Sequence, residues 1–252
     1  MSQLNDTELL RYARQILLDD WDIEAQLALK QSSVLLIGAG GLGCPIAQTL
    51  VRAGLGFLAV VDDDVVEISN LQRQSLFFDT DIGYSKALTL TQALKQHNPH
   101  TNLRPYNTRF EAIAGDTIIQ EVRPDLLIDG SDNFATRDLI NRLAVRHQIP
   151  LLSTSAIAQT GQLALFEPQT GCYHCIFDDS AGNDERTCAN TGVLASTTAV
   201  VGTLGAQIAL RFLGQANNPI KNKLLIWQGA TMTLKHLQFS KNTQCPICQS
   251  HS

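Results

Sequence analysis

The sequence predicts an α/β protein with a mostly parallel sheet, helices on both faces and an antiparallel C-terminal portion. Three observations carry that prediction. Strand-length apolar runs alternate with helical patterns through residue 155. The first run opens into a glycine turn, GAGGLG at Gly38–Gly43, and the second ends on Asp62. Beyond residue 160, strand-like runs follow one another without intervening helices.

The elements follow in order. Asn5 and Glu8 have the spacing of a helix N-cap and its N3 partner. Behind them Leu9, Ala13, Ile16 and Leu17 recur at helical spacing, which puts Arg11 and Arg14 together on another face. Val34–Ile37 reads as a strand, Cys44–Ala53 as a small-residue helix and Phe57–Val61 as a second strand. Strand, glycine turn, helix, strand and acid form one βαβ unit of Rossmann type. Lys86–Gln96 and Phe134–His147 read as helices, and Leu126–Ile128 and Leu151–Thr154 as strands. Gln162–Phe166, Lys223–Trp227 and Thr233–Phe239 make the antiparallel portion. Nothing resembling a linker divides the chain, so residues 1–252 read as one domain. It comprises an N-terminal helix over 5–18, a nucleotide-binding core over 33–155 and an antiparallel portion over 160–252.

The chain has 252 residues, enough to bury a substantial core. A formal charge of −5 argues against nucleic acid or an anionic membrane as a partner. The opening MSQLNDTELL has neither the basic nor the apolar region of a secretory signal. Val193–Leu213 is long enough to span a bilayer, but Ser196, Thr197, Thr198, Gln207 and Arg211 make a buried helix the better reading. A cytoplasmic protein is expected.

Three of the turn's four glycines have distinct tasks. Gly38 permits the tight bend, Gly40 admits a phosphate to the backbone, and Gly43 lets the helix pack on the strand. The helix N-terminus offers unpaired N–H groups to an anion. Asp62, about 20 residues on, is placed to accept hydrogen bonds from ribose hydroxyls. This spacing does not separate NAD, FAD and ATP, and a turn used only for packing is the bland alternative. The segment after Asp62, DDVVEISNLQRQ and then Lys86, points to a triphosphate. Attack on an α-phosphorus builds negative charge on phosphoryl oxygens and on departing pyrophosphate. Arg73 and Lys86 are available to offset it, and Asn70 and Gln72 to hold the triphosphate by neutral hydrogen bonds. Taken singly, such cations are often only solvated surface groups.

Four of the six cysteines form two CxxC pairs, Cys172 with Cys175 and Cys245 with Cys248. Two such loops present four thiolates to one tetrahedral Zn²⁺, a closed structural site that needs no help from His174. A redox pair is the rival, although neither CxxC opens a helix after a strand. Cys44, on the helix after the glycine turn, reads as a packing thiol.

These stretches together resemble the MoeB/ThiF/HesA family of ubiquitin-activating-like adenylyltransferases. The matching segments are RYARQILL, LLIGAGGLG, VVDDDVVEISNLQRQ, Lys86, DGSDNFATR, CYHC, TCANTGV and CPIC, in family order over nearly the whole chain. The resemblance implies ATP-dependent adenylation of the C-terminal glycine of a ubiquitin-like sulfur carrier protein, with release of pyrophosphate. It implies a nucleotide site of Gly38, Gly40, Gly41, Gly43, Asp62, Asp64, Ser69, Asn70, Leu71, Gln72, Arg73, Lys86, Asp132 and Asn133. Asp132 would organise Mg²⁺. Family members resemble one another in being homodimers, so Arg14 would enter the other subunit's site. Its bland reading is a solvated helix arginine.

Cys188 lies in the polar stretch Asp178–Gly192, which reads as a loop. The matching cysteine is a covalent sulfur-transfer residue in thiamine-pathway members and dispensable in molybdopterin-pathway members, so it does not choose between pathways. The opening LNDTELLRYARQ looks closer to the molybdopterin members. Activation of the thiamine-pathway carrier is the alternative within the family. Outside it stand an NAD-dependent oxidoreductase and a non-catalytic nucleotide-binding scaffold. Three departures from the family pattern are Ser85 for a common proline, Gly130 for a common cysteine and Gln228 for a common acid.

Overall fold

The computed structural model describes residues 3–177 and 191–249. Its frame is one eight-stranded sheet in the order β3-β2-β1-β4-β5-β6-β7-β8. The strands are β1 (Ser33–Ile37), β2 (Phe57–Val61), β3 (Asn102–Tyr106), β4 (Leu126–Asp129), β5 (Leu151–Ile157), β6 (Thr160–Phe166), β7 (Lys223–Gln228) and β8 (Thr233–Gln238). Strands β1 to β5 pair in parallel, and β6, β7 and β8 add antiparallel. The helices are α1 (Asp6–Ile16), α2 (Ile23–Gln31), α3 (Gly43–Ala53), α4 (Lys86–His97), α5 (Ala112–Val122), α6 (Phe134–His147) and α7 (Ala195–Gln215).

A central parallel strand must bury both faces, and β1 does so residue by residue. Val34 and Leu36 join the core formed with α2, α3, α4 and α7. Leu35 and Ile37 join the opposite core, with α5 and α6. Helix α7 is the long apolar segment of the sequence. It packs on α3 and on β5 and β6, where Gly202 admits Pro45 closely. Among the described residues, no helix is long and apolar enough to cross a membrane.

The expected elements appear with shifted ends. Three further elements, α2, β3 and α5, lie in stretches without an evident sequence pattern. At the N-terminus, Asn5 and Glu8 cap α1 reciprocally. Ser85, a departure from the family's proline, caps α4: its Oγ accepts from Leu88 N–H and donates to Asn107. That serine fastens the start of α4.

Candidate nucleotide site and cysteine cluster

The order β3-β2-β1-β4 places a topological switch between β1 and β4, where α/β sheets open a crevice at the carboxyl ends of their strands. The register pairs Ile37 with Val61 and with Asp129, so the three segments that follow meet at one edge. Gly38 has φ +100°, and a Cβ there would stand 2.7 Å from the Gly130 carbonyl oxygen. Glycine at 38 is therefore required by conformation and by the neighbouring loop. At Gly43 a Cβ would overlap the Gly38 carbonyl. A Cβ at Gly41 would press on Thr198 and Arg73, whereas one at Gly40 would meet, among the described residues, only Gln74 Nε2, at 3.7 Å.

Asp62 ties this turn to β2. Its Oδ2 accepts from Ala39 N–H at 2.7 Å and its Oδ1 from Asp64 N–H at 2.9 Å. Burial raises its pKa, with those two hydrogen bonds and Lys86 acting against the rise. Lys86 opens α4 and is buried, and its Nζ lies 2.8 Å from Asp64 Oδ2. The carboxylates of Asp62, Asp63 and Asp64 lie close enough to share a cation. Asp132, the residue expected to organise magnesium, is not in that group.

The segment 69–74 separates into distinct tasks. Asn70 is buried, and its Oδ1 accepts from Glu67 N–H while Nδ2 reaches Ser69 Oγ at 3.4 Å. Arg73 Nη1 donates to the Ser69 carbonyl at 2.9 Å. Leu71 packs against the core and Gln72 is exposed. Gln74 is buried with an unpartnered Oε1 beside the glycine turn. Nothing in the motif spacing distinguishes it from Gln72. On the other loop Asp132 is exposed, and Asn133 caps α6 by accepting from Thr136 N–H. Arg137 was not among the expected site residues, yet it organises this loop. Its Nε donates to the fully buried Asp129 at 2.8 Å and its Nη2 to the Ser131 carbonyl at 2.8 Å.

Arg11 and Arg14 do not act as a pair. Arg11 donates to the His97 carbonyl, while Arg14 is exposed without a partner among the described residues. Cys188 lies outside the described residues. Burial pushes the Cys44 thiol up to about 12, which suits a packing role.

The four remaining cysteines converge from sequence positions 73 apart. Cys172 and Cys245 sulfurs are 3.7 Å apart, Cys175 and Cys248 3.5 Å, and Cys172 and Cys175 4.0 Å. Four thiolates on a tetrahedral zinc are about 3.8 Å apart, from a Zn–S length of about 2.3 Å. N–H groups of Cys172 and Asn242 point at Cys175 Sγ, the arrangement a thiolate favours. The donor set therefore fits zinc without His174.

The sequence pattern of the ThiF family matches residues 12–247. The molybdopterin-synthase adenylyltransferase of Escherichia coli K12 is 37% identical over 250 residues, covering 98% of this chain and 99% of its own. The sulfur carrier protein ThiS adenylyltransferase of the same organism is 39% identical over 248 residues, covering 97% of each chain. Among solved structures, E. coli MccB with ATP superposes with a TM-score of 0.81 at 23% identity, over 97% of this chain and 75% of its own. That last likeness is one of fold.

Proposed function

The chain belongs to the ThiF family, and we propose that it adenylates the C-terminal glycine of a ubiquitin-like sulfur carrier protein, consuming ATP and releasing pyrophosphate. One observation carries the proposal. A ribose-type acid tied to the glycine turn, Asp62, shares an edge with a buried cation, Lys86, in a chain matched end to end by two carrier adenylyltransferases. An NAD-dependent oxidoreductase or a non-catalytic scaffold gives Lys86 and Arg73 no task at that edge. We read residues 1–252 as a single adenylyltransferase domain.

In this reading ATP lies along Gly38–Gly43, with Gly41 against the nucleotide. Each Asp62 oxygen already holds one backbone hydrogen bond and retains a lone pair for a ribose hydroxyl. The carrier's carboxylate oxygen attacks the α-phosphorus, and the bond from that phosphorus to the bridging oxygen breaks. The products are the acyl adenylate and pyrophosphate. No protein nucleophile is needed, so the chain supplies alignment and charge. Lys86 and Arg73 offset charge on the phosphates, Lys86 exchanging Asp64 for phosphate oxygen. Asp132 has an exposed carboxylate and fits a role as a magnesium ligand. Bound magnesium supplies further positive charge there. Cys172, Cys175, Cys245 and Cys248 would hold zinc as a structural tie, and a reducing cytoplasm keeps such thiols available.

We assign a homodimer in which Arg14 enters the partner's site, on its exposure and on the family resemblance. The molybdopterin-synthase small subunit is the first carrier, on the resemblance of the opening segment. The thiamine-pathway carrier is the second reading, favoured by the 39% identity to the ThiS adenylyltransferase. ATP–pyrophosphate exchange, run separately with each carrier, tests the proposal. Exchange is expected only when a carrier with a free C-terminal glycine is present. Carrier-independent exchange, or none with either carrier, overturns it.

A further inference from the structure

The loop between Cys172 and Cys175 lies directly against the helix that leaves the nucleotide edge. Tyr173 N–H donates to Asn141 Oδ1 at 2.9 Å, and Asn141 Nδ2 donates to Cys172 Sγ at 3.7 Å. Asn141 is buried on α6, one turn along from Arg137. The Arg137 guanidinium lies 6.0 Å from the centroid of the Tyr173 ring. That ring is itself wedged, stacked on Phe177 at 4.7 Å and flanked by Phe134 and Phe166 at 6.3 Å.

The same guanidinium grips the loop after β4. Besides Asp129 and the Ser131 carbonyl, its Nη2 reaches the Thr154 carbonyl at 3.3 Å. Asp129 in turn accepts from the Ser131 N–H and hydroxyl. Ser131 is thus held by its carbonyl, amide and side chain, and Asn133 is held as the cap of α6. Asp132 stands between two fixed residues. Its one side-chain hydrogen bond among the described residues is accepted from Asn133 Nδ2, at 3.5 Å. The carboxylate has no ion pair among the described residues, while Ser131 and Asn133 on either side are held.

We propose that Tyr173 and Asn141 are positioning residues for the nucleotide site, fixing Arg137 and through it the loop Asp129–Asp132 that presents Asp132. The inference rests on the reading of that loop as the magnesium-organising one. A loop already fixed pays little ordering cost when ion and nucleotide bind. Without the Tyr173 ring the guanidinium gains room to swing away from Ser131, and Asp132 loses its preset place. Without Asn141 the cysteine loop parts from α6 and the same support is lost. A cysteine loop that only staples the C-terminus would affect melting and leave magnesium dependence alone.

The test uses the full chain without carrier. ATP binding is measured by calorimetry across a magnesium titration in wild type, Tyr173→Leu and Asn141→Ala, with zinc content determined for each. Both variants are expected to retain wild-type zinc, while the magnesium needed for half-maximal ATP binding rises about ten-fold. Wild-type magnesium dependence in either folded, zinc-loaded variant overturns the proposal. A rise confined to variants that have lost zinc overturns it too, because the metal rather than the contact would then set the loop. If Tyr173→Leu fails to fold, Asn141→Ala decides between the same outcomes. A wild-type chain that binds no ATP with magnesium overturns the reading of the loop together with this inference, which separates the two failures.

Discussion

Nζ of Lys86 lies 2.8 Å from Oδ2 of Asp64, and the lysine side chain is 8% exposed while its partner is 68% exposed. A pair of this kind contributes little to stability, because solvent screens the carboxylate. Its arrangement suits exchange: the cation is fixed and its counter-ion is replaceable. Lys86→Met retains the aliphatic stem and removes the charge. Carrier-dependent pyrophosphate exchange is expected to fall about a hundred-fold or more, while Tm moves by less than about 4 °C. Exchange near the wild-type rate in this variant would remove Lys86 from the reaction.

The cysteine cluster ties residues 73 apart in sequence. Such a tie removes freedom from the unfolded chain much as a disulfide does. Stripping zinc, or the substitution Cys245→Ser, is expected to cost about 3 kcal/mol, or about 6–12 °C in Tm. Metal analysis of protein purified without chelator should find one zinc per chain. Protein without zinc, melting at the same temperature before and after chelation, would exclude the site.

Helix α1 is seated by a buried carboxylate. Burial acts to raise the Glu8 pKa, yet hydrogen bonds from Lys30 at 2.7 Å and Asn5 N–H at 3.0 Å hold it below the usual value of 4.5. A carboxyl whose folded pKa is depressed binds its proton less readily in the folded state. Its contribution is therefore full above the unfolded pKa and is lost as pH falls through the folded pKa. Glu8→Gln should lower Tm at pH 7 and cease to matter once acid has protonated Glu8 in the wild type. Melting curves of both proteins across this range provide the check, and a Tm difference that stays constant into acid would refute the linkage.

The legible parts of the fold are those in which one segment carries its own signal. Val34–Ile37 and Phe57–Val61 are apolar throughout because parallel strands bury both faces, and each ends on the group that matters, Gly38 or Asp62. Strand β3 was hidden by Pro105, tolerated because β3 is an edge strand. Helix α5 was hidden by Gly115, where Phe110 and Leu143 leave no room for a Cβ. The site residues divide in the same way. Motif spacing singled out Asp62 and Lys86, which lie at one edge of the sheet, and the four cysteines, which cluster. Arg137 escaped because its importance comes from Asp129 being buried beside it, a fact of tertiary packing. By helical spacing Arg11 and Arg14 look alike, and in the structure the His97 carbonyl occupies Arg11 alone.

Arg14 stands on a helix that is fixed rather than loose. Tyr12 OH accepts from buried Asn98, Gln15 donates to the Ala53 carbonyl at 2.7 Å, and Arg11 holds the end of α4. These contacts leave Arg14, unpaired among the described residues, exposed to solvent at a set position, as an arginine serving a second copy of the chain must be. A site shared between copies can be tested by mixing. Arg14→Ala and Asp132→Ala homodimers should each lack carrier-dependent exchange. In a mixed dimer one site combines an intact Asp132 with an intact Arg14 from the other chain, and the second site lacks both. Statistical mixing puts about half of the dimers in this form, each with one working site, so about a quarter of wild-type exchange should return, in line with the closed two-fold symmetry of such dimers. If mass spectrometry shows heterodimers and exchange stays absent, Arg14 serves its own chain or none.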